Sequence, residues 1–495
     1  MSFSKTIFLF AFLPFTLAGY YLIKTDFRNV FLVIMSLLFY ACGEPKFVFV
    51  LCTSIIVNYL IALLIERYRA KKAVSCFFMI LSLIGNVGLL FVYKYLATTV
   101  GGINSIFGTH LSFVSLTLPL GISFFTFRAI SYVLDVYFQT SKAQKNVLNV
   151  ALYISFFPQL TMGPISKYSD FEKQLNRRTI SSEKFAVGCK RFIIGLAKKV
   201  ILSNSIGIMV DKVFALSASG RSVSLSWLGI IGYCLQLYYD FAGYSDMAIG
   251  LSNMFGFDCP ENFDYPYLSK SVGEFWRRWH ITLGNWLKDY LYVPVFRGTM
   301  MKKNPVTHKA FTINQCDIIA LFVTWIVCGM WHGAGVKFLF YGMYYFIFIA
   351  CERMLQAHKK KIAKQKKLPK HKETRWEAAR AHVYAVIVIL FGQLIFRAPS
   401  LSAAVSYAGS MFGLQGNAFT NAVTSYYFEG NAVILVLALI FCFPIAKYVK
   451  KLCDTYVIPN RFAKVTTPLL YIALFITGIS YAINSTYNAF IYFKF

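Results

Sequence analysis

Phe275-Trp276-Arg277-Arg278-Trp279-His280-Ile281-Thr282-Leu283 lies within a stretch, Phe263 to Arg297, that is too polar to cross a bilayer and too aromatic to be a free loop. Its period resolves the conflict. On a helix at about 100° per residue, Ser271–Val295 gathers Trp276, Trp279, Leu283, Trp286, Leu287, Tyr290 and Leu291 on one broad arc. Arg277, Arg278, Thr282, Asn285, Lys288 and Asp289 fall on the opposite one. The predicted element is an interfacial amphipathic helix over 271–296, its apolar face in the membrane boundary and its charges in water. His280 lies inside the apolar arc and therefore points at protein or lipid.

The rest of the chain supplies the membrane. Of 495 residues, 57% are hydrophobic and 14% charged, whereas globular domains carry about 25% charged residues. Apolar stretches recur from Thr6–Ile23 to Leu469–Ala482. At roughly 20 residues per crossing plus loops, about ten to twelve transmembrane helices fit, with no room for a large soluble domain. The predicted fold is an all-α, polytopic integral membrane protein, one domain over 1–495. Leu225–Leu235 and Ile318–Met330 are shorter than a bilayer needs. At least one such segment is expected to be re-entrant, which is allowed only where protein or water buries its backbone.

Fifty Lys and Arg against 21 Asp and Glu leave a net charge of +29. These residues sit in short runs between apolar segments and form no basic domain, so the charge reads as membrane anchoring and not as a nucleic-acid surface. Glu66-Arg67-Tyr68-Arg69-Ala70-Lys71-Lys72 and the Lys-rich loop over 355–378 are assigned to the cytoplasm, and Pro399 to Asn431, which has no Lys or Arg, to the outside. Lys447, Lys450 and Lys451 return inside. The 11 cysteines form no C-x-x-C pair and read as small buried hydrophobes.

A buried histidine commonly does no more than satisfy a neighbouring helix. A second one changes the balance. His332 stands in Gly329-Met330-Trp331-His332-Gly333-Ala334-Gly335, where glycines let backbone or a ligand come close. Of seven histidines, only His280 and His332 combine an apolar setting with Trp and Gly neighbours. A neutral imidazole in such a place can take a proton from a hydroxyl, which suits acyl transfer from a thioester to an alcohol. There is no H-E-x-x-H or paired ligand spacing for a metal, no G-x-S-x-G and no P-loop.

At these residues the sequence resembles the membrane-bound O-acyltransferase family, in its bacterial branch of alginate and peptidoglycan O-acetyltransferases. The likeness is carried by Leu118–Phe127, Ser131–Tyr137, Phe156–Leu160 with Gly163-Pro164-Ile165, Tyr239–Gly250 and Phe275–Leu283, and by the closing Phe490–Phe495. It departs after Tyr290-Leu291-Tyr292-Val293-Pro294, where the family commonly has Leu-Gly-Gly and this chain has Val295-Phe296-Arg297-Gly298. The resemblance implies a transverse tunnel through a multi-pass protein of the bacterial inner membrane, with His332 as the catalytic histidine and His280 as the second. It further implies an acetyl group taken from a cytosolic thioester, acetyl-CoA, and passed to hydroxyls of an envelope polysaccharide through an extracytoplasmic partner protein.

Around that pair, Arg277 and Arg278 would meet coenzyme A phosphates or lipid headgroups, with Trp276, Trp279 and Trp331 lining the tunnel. Asp240 and Asp246 are six residues apart, about 600° around a helix, and so face different ways. They, Ser245 and Asp289 are read as supporting residues, with Asp240 or Asp289 paired to an arginine. Arg128 and Asp135 share a helix face and are expected to pair across helices. Two rival functions remain at this stage: a teichoic acid D-alanyl transferase fed by an acyl carrier protein, and a transporter. A transporter would show repeated halves, which the sequence lacks.

Overall fold

The computed structural model describes residues 2–112, 116–303, 305, 308–367, 369, 371, 373–445, 448–449, 460–484 and 487. Phe490–Phe495, Lys447, Lys450 and Lys451 lie outside the described residues. Those described form helices and connecting turns, with two isolated bridges, Phe263 to Trp279 and Lys303 to Ala310. Eight helices among them are long and apolar enough to cross a membrane. They run over Pro45–Arg67, Lys72–Lys94, Ser182–Ala215, Ile313–His332, Val336–Gln365, Arg375–Arg397, Ala422–Phe441 and Val465–Asn484, and Phe8–Leu22 and Leu96–Phe107 are shorter apolar helices. The chain is an all-α polytopic membrane protein.

The short apolar stretch Leu225–Leu235 is part of a 32-residue helix, Val223–Met254, that forms the centre of the molecule and is buried along most of its length. Its closest partner is the Ser182–Ala197 helix, and glycines set the approach. A Cβ on Gly188 would lie 2.6 Å from the Gly250 carbonyl oxygen, and one on Gly195 would lie 2.5 Å from that of Gly243. Both pairs are spaced seven residues apart along their helices, so one face of each is stripped to backbone over two turns. Immediately beyond, the chain widens into a π-turn, Lys198–Ser203.

That turn carries two lysines to different carboxylates. Lys199 pairs with Asp240 at 2.6 Å, both fully buried, and Lys198 pairs with Asp246 at 2.7 Å, which Arg191 also holds at 2.9 Å. The two aspartates thus face different neighbours, as their spacing requires. Among the described residues, Asp240 pairs with Lys199 and Asp289 with Lys167, lysines in place of the expected arginine.

Two further expectations are corrected. The ion pairs expected from Arg128 and Asp135 to other helices do not form among the described residues: Asp135 accepts from the Tyr290 hydroxyl at 2.6 Å and the Ser169 amide at 2.9 Å. The Arg128 guanidinium instead stacks over the rings of Tyr153 and Phe171. The basic segment 355–378 is largely helical, because the Val336–Gln365 helix runs on through Lys359, Lys360, Lys361 and Lys364, and Thr374 caps the next helix with a capping box to Glu377.

Candidate functional site

The stretch from Ser271 is not one helix. Ser271 caps a first piece, Val272–Arg278, by accepting from the Glu274 amide, and Glu352 from the Val336–Gln365 helix receives the amides of Val272 and Gly273. The chain is then extended at Trp279 and left-handed at His280, with φ of 46°. A second piece covers Ile281–Leu287, a π-turn Lys288–Tyr292, and a third piece Val293–Met300. The break turns His280 inward. The arcs survive piecewise: Trp279, Leu283, Trp286 and Leu287 are buried, while Arg277, Asn285 and Lys288 are exposed. Thr282 departs from its expected polar arc and is buried, because Asn262 receives both its amide and its hydroxyl.

Asn262 is the centre of this turn. Its backbone carbonyl accepts from Ile281 at 3.0 Å, its Oδ1 lies 3.1 Å from His280 Nδ1, and its Nδ2 donates to Ser245 Oγ at 3.0 Å. His280 packs edge-on against Phe241, with ring centroids 4.6 Å apart, and lies 6.2 Å from the Trp331 ring. Its Nε2 is buried and has no hydrogen-bond partner among the described residues. Burial, with nothing to offset it, holds the imidazole down at about 3, so it is neutral.

His332 is the last residue of the Ile313–His332 helix, which a Thr312–Gln315 capping box starts and the extended Gly333 ends. Its ring lies 4.7 Å from that of Trp331 and packs against Tyr341 and Phe396. Gly329 lets the following helix pass at backbone contact, because a Cβ there would strike the Phe338 carbonyl and Gly342. The two histidines are 2% and 3% exposed, and the Trp331 ring contacts both, at 6.2 Å from His280 and 4.7 Å from His332.

Each histidine lines its own cavity. The larger, about 650 Å³, is bounded by His280, Trp276, Trp279, Arg277, Lys288, Thr324, Arg353 and Gln356 among others. The smaller, about 260 Å³, is bounded by His332, Trp331, Lys94, Glu44, Thr161 and the Leu118–Phe124 segment. Lys94 ends the Lys72–Lys94 helix and Glu44 immediately precedes the Pro45–Arg67 span, both at the ends opposite the basic run Arg67–Lys72. Trp276, Trp279 and Arg277 therefore share the His280 cavity, and Trp331 belongs to the His332 side. Arg278 lines neither: Glu274 at 2.9 Å and Asp264 at 3.5 Å hold it away. Lys288, read from the sequence only as part of the polar arc, stands in the larger cavity beside Arg277. Among the described residues, no group of three or more His, Cys, Asp or Glu is placed to hold a metal ion.

A family model for the membrane-bound O-acyltransferases matches residues 139–391. The chain belongs to the membrane-bound O-acyltransferase family. Within that family it is 37% identical over 418 residues to "Probable alginate O-acetylase AlgI" of Azotobacter vinelandii, covering 83% of this chain and 78% of that one. It is 32% identical over 450 residues to the peptidoglycan O-acetyltransferase of Helicobacter pylori, covering 84% and 80%. It is 30% identical over 284 residues to the teichoic acid D-alanyltransferase of Bacillus subtilis, covering 56% and 68%. As a membrane-bound O-acyltransferase with eight candidate spans, the chain is a multi-pass bacterial membrane protein and an O-acyltransferase.

Sequence reasoning missed Asn262, Lys94 and Lys288 as site residues. Asn262 gave no periodic signal because it sits in a loop 18 residues before His280. Lys94 read as the end of an apolar stretch.

Proposed function

We propose that this O-acyltransferase takes an acetyl group from acetyl-CoA on the cytosolic side and delivers it across the membrane to hydroxyls of an envelope polysaccharide, by way of an extracytoplasmic partner protein. The observation that carries the reading is the pair of cavities, each lined by one histidine, with Trp331 on the wall of the smaller and its ring 6.2 Å from that of His280. The larger opens beside the basic end of the Val336–Gln365 helix and offers Arg277 and Lys288 to the donor's phosphates. The smaller lies at Glu44 and Lys94, at the ends of the Pro45–Arg67 and Lys72–Lys94 helices away from the cytosolic basic run, and receives the hydroxyl.

His332 acts as the general base. It takes the hydroxyl proton as oxygen attacks the thioester carbon, and returns it to sulfur as the carbon–sulfur bond breaks. The relatives named for alginate and peptidoglycan O-acetylation cover more of this chain than the D-alanyl transferase, which favours acetyl over D-alanyl transfer.

The test is transfer from radiolabelled acetyl-CoA by purified protein in detergent, wild type against His332→Ala, with and without the partner and soluble glycans. Label should move only with His332 intact, and folded His332→Ala that retained activity would remove it from the chemistry. Transfer only from a charged carrier protein would replace acetyl-CoA as donor. No transfer from any thioester would favour transport.

A further inference from the structure

His280 Nδ1 and Asn262 Oδ1 form a hydrogen bond whose direction the neighbours decide. The Thr282 amide, 3.2 Å from the same Asn262 atom, can only donate, so that atom is the carbonyl oxygen of the side-chain amide and not its nitrogen. The Thr282 hydroxyl, 2.8 Å away, donates to it as well, and the amide nitrogen is spent on Ser245 Oγ. An amide oxygen has no proton to give. In a neutral imidazole one ring nitrogen carries the proton and the other a lone pair. The proton of His280 is therefore on Nδ1, and Nε2 is bare.

We propose that Asn262 is a positioning residue that locks His280, which lines the larger cavity, in the Nδ1–H form, so that its buried Nε2 is solely an acceptor and takes a hydrogen bond from an N–H or O–H group of the acyl donor. The inference rests on the reading of that cavity as the donor site. In this form His280 cannot protonate the leaving sulfur or donate to the thioester carbonyl, so those tasks fall to other groups. The amide N–H groups along the donor's pantetheine arm have the chemistry that Nε2 lacks a partner for. A buried acceptor without a partner among the described residues, once satisfied by the donor, contributes directly to donor affinity.

His280→Asn separates the two ring nitrogens. Its side-chain amide still donates to Asn262, as Nδ1 does, but nothing replaces Nε2. Asparagine also tolerates the left-handed backbone that φ of 46° imposes. The first measurement is ¹⁵N NMR of histidine-labelled protein, in which the resonances lost in His280→Asn belong to His280. The proposal expects a protonated Nδ1 and an unprotonated Nε2; a proton on Nε2 overturns it.

The second measurement is a double-mutant cycle on kcat/KM for the donor. Asn262→Ala should cost about tenfold or more beyond its cost in a His280→Asn background, since second-shell partners of this kind typically contribute about 10–100-fold. Equal losses in both backgrounds would mean that Asn262 serves only the Thr282 turn, and would overturn the positioning role. If Asn262→Ala does not fold, Asn262→Asp stands in its place. A carboxylate accepts from His280 and Thr282 and takes the Ser245 hydroxyl, so activity should stay near wild type, and loss with the fold intact counts against the proposal. If wild type uses only a carrier-borne thioester, the acetyl-CoA reading fails in the wild type alone, and the cycle is run with that donor.

Discussion

Lys94, the last residue of the Lys72–Lys94 helix, donates its ammonium to the backbone carbonyl of Trp331, one residue before His332. The next residue, Tyr95, donates its hydroxyl to the carbonyl of Met330. These carbonyls belong to the last turn of the Ile313–His332 helix, beyond its regular ladder of amides, and that of Met330 also accepts from the Gly333 amide at 3.1 Å. One helix end thus fixes the other, and the lysine side chain lies 5.7 Å from the centre of the Trp331 ring as well. The contact joins the wall of the smaller cavity to the residue proposed as the general base.

Lys94→Met removes the cap and the charge while keeping the length of the side chain. A hydrogen bond from a charged donor contributes roughly 1.5–3 kcal/mol, and part of it holds Trp331 and His332 in place. The expected result is a drop of about tenfold in kcat for acyl transfer, with the donor KM unchanged because the larger cavity is untouched. Lys94→Arg should recover part of the loss. A Lys94→Met protein with unchanged kcat would show that the helix end needs no help to place His332.

Gly195 and Gly478 offer a matched pair for stability. A methyl on Gly195 would meet backbone on the facing helix, the Gly243 carbonyl at 2.5 Å and the Met247 amide at 2.6 Å, and backbone does not rotate away. One on Gly478 would meet only Leu196 and Val200 side chains, at 3.5 Å and beyond, which is ordinary contact. Gly195→Ala is expected to lower the thermal midpoint in detergent by pushing apart the two most closely packed helices. Gly478→Ala should hold or raise it, since alanine in a helix gains about 0.5–1 kcal/mol over glycine. Equal midpoints for both would mean that the Ser182–Ala197 and Val223–Met254 helices can separate freely.

The crossings were legible because a bilayer demands long apolar runs, and the two histidines because few polar groups sit among Trp and Gly. The paired arcs of Ser271–Val295 were legible too, but not the break within them. An αL residue is usually announced by glycine or asparagine, and here it is His280, whose turn is enforced from outside by Asn262. Short-range pattern carries no trace of a bond that spans 18 residues. Arg128 and Asp135 show the same limit: sharing a helix face states where side chains leave the backbone, and tertiary packing gave one to aromatic rings and the other to Tyr290 and Ser169. Arg278 and Lys288 were equally placed on the polar arc, and only the position of Glu274 and Asp264 removed one from the cavity.

His280 also leaves a signature in stability against pH. Burial pushes its imidazole down to about 3 in the folded protein, while in the unfolded chain it titrates near about 6.5. Between these values the unfolded state binds a proton that the folded state refuses, so stability rises with pH. The contribution is complete above about 6.5 and is lost progressively as pH falls toward about 3. The thermal midpoint of the wild type should therefore fall between about pH 7 and 5 more steeply than that of His280→Asn, which keeps the hydrogen bond to Asn262 but has nothing to titrate. Parallel curves would mean that the buried imidazole takes its proton in the folded state as readily as in the unfolded one, and would remove the neutral acceptor on which its role at the larger cavity depends.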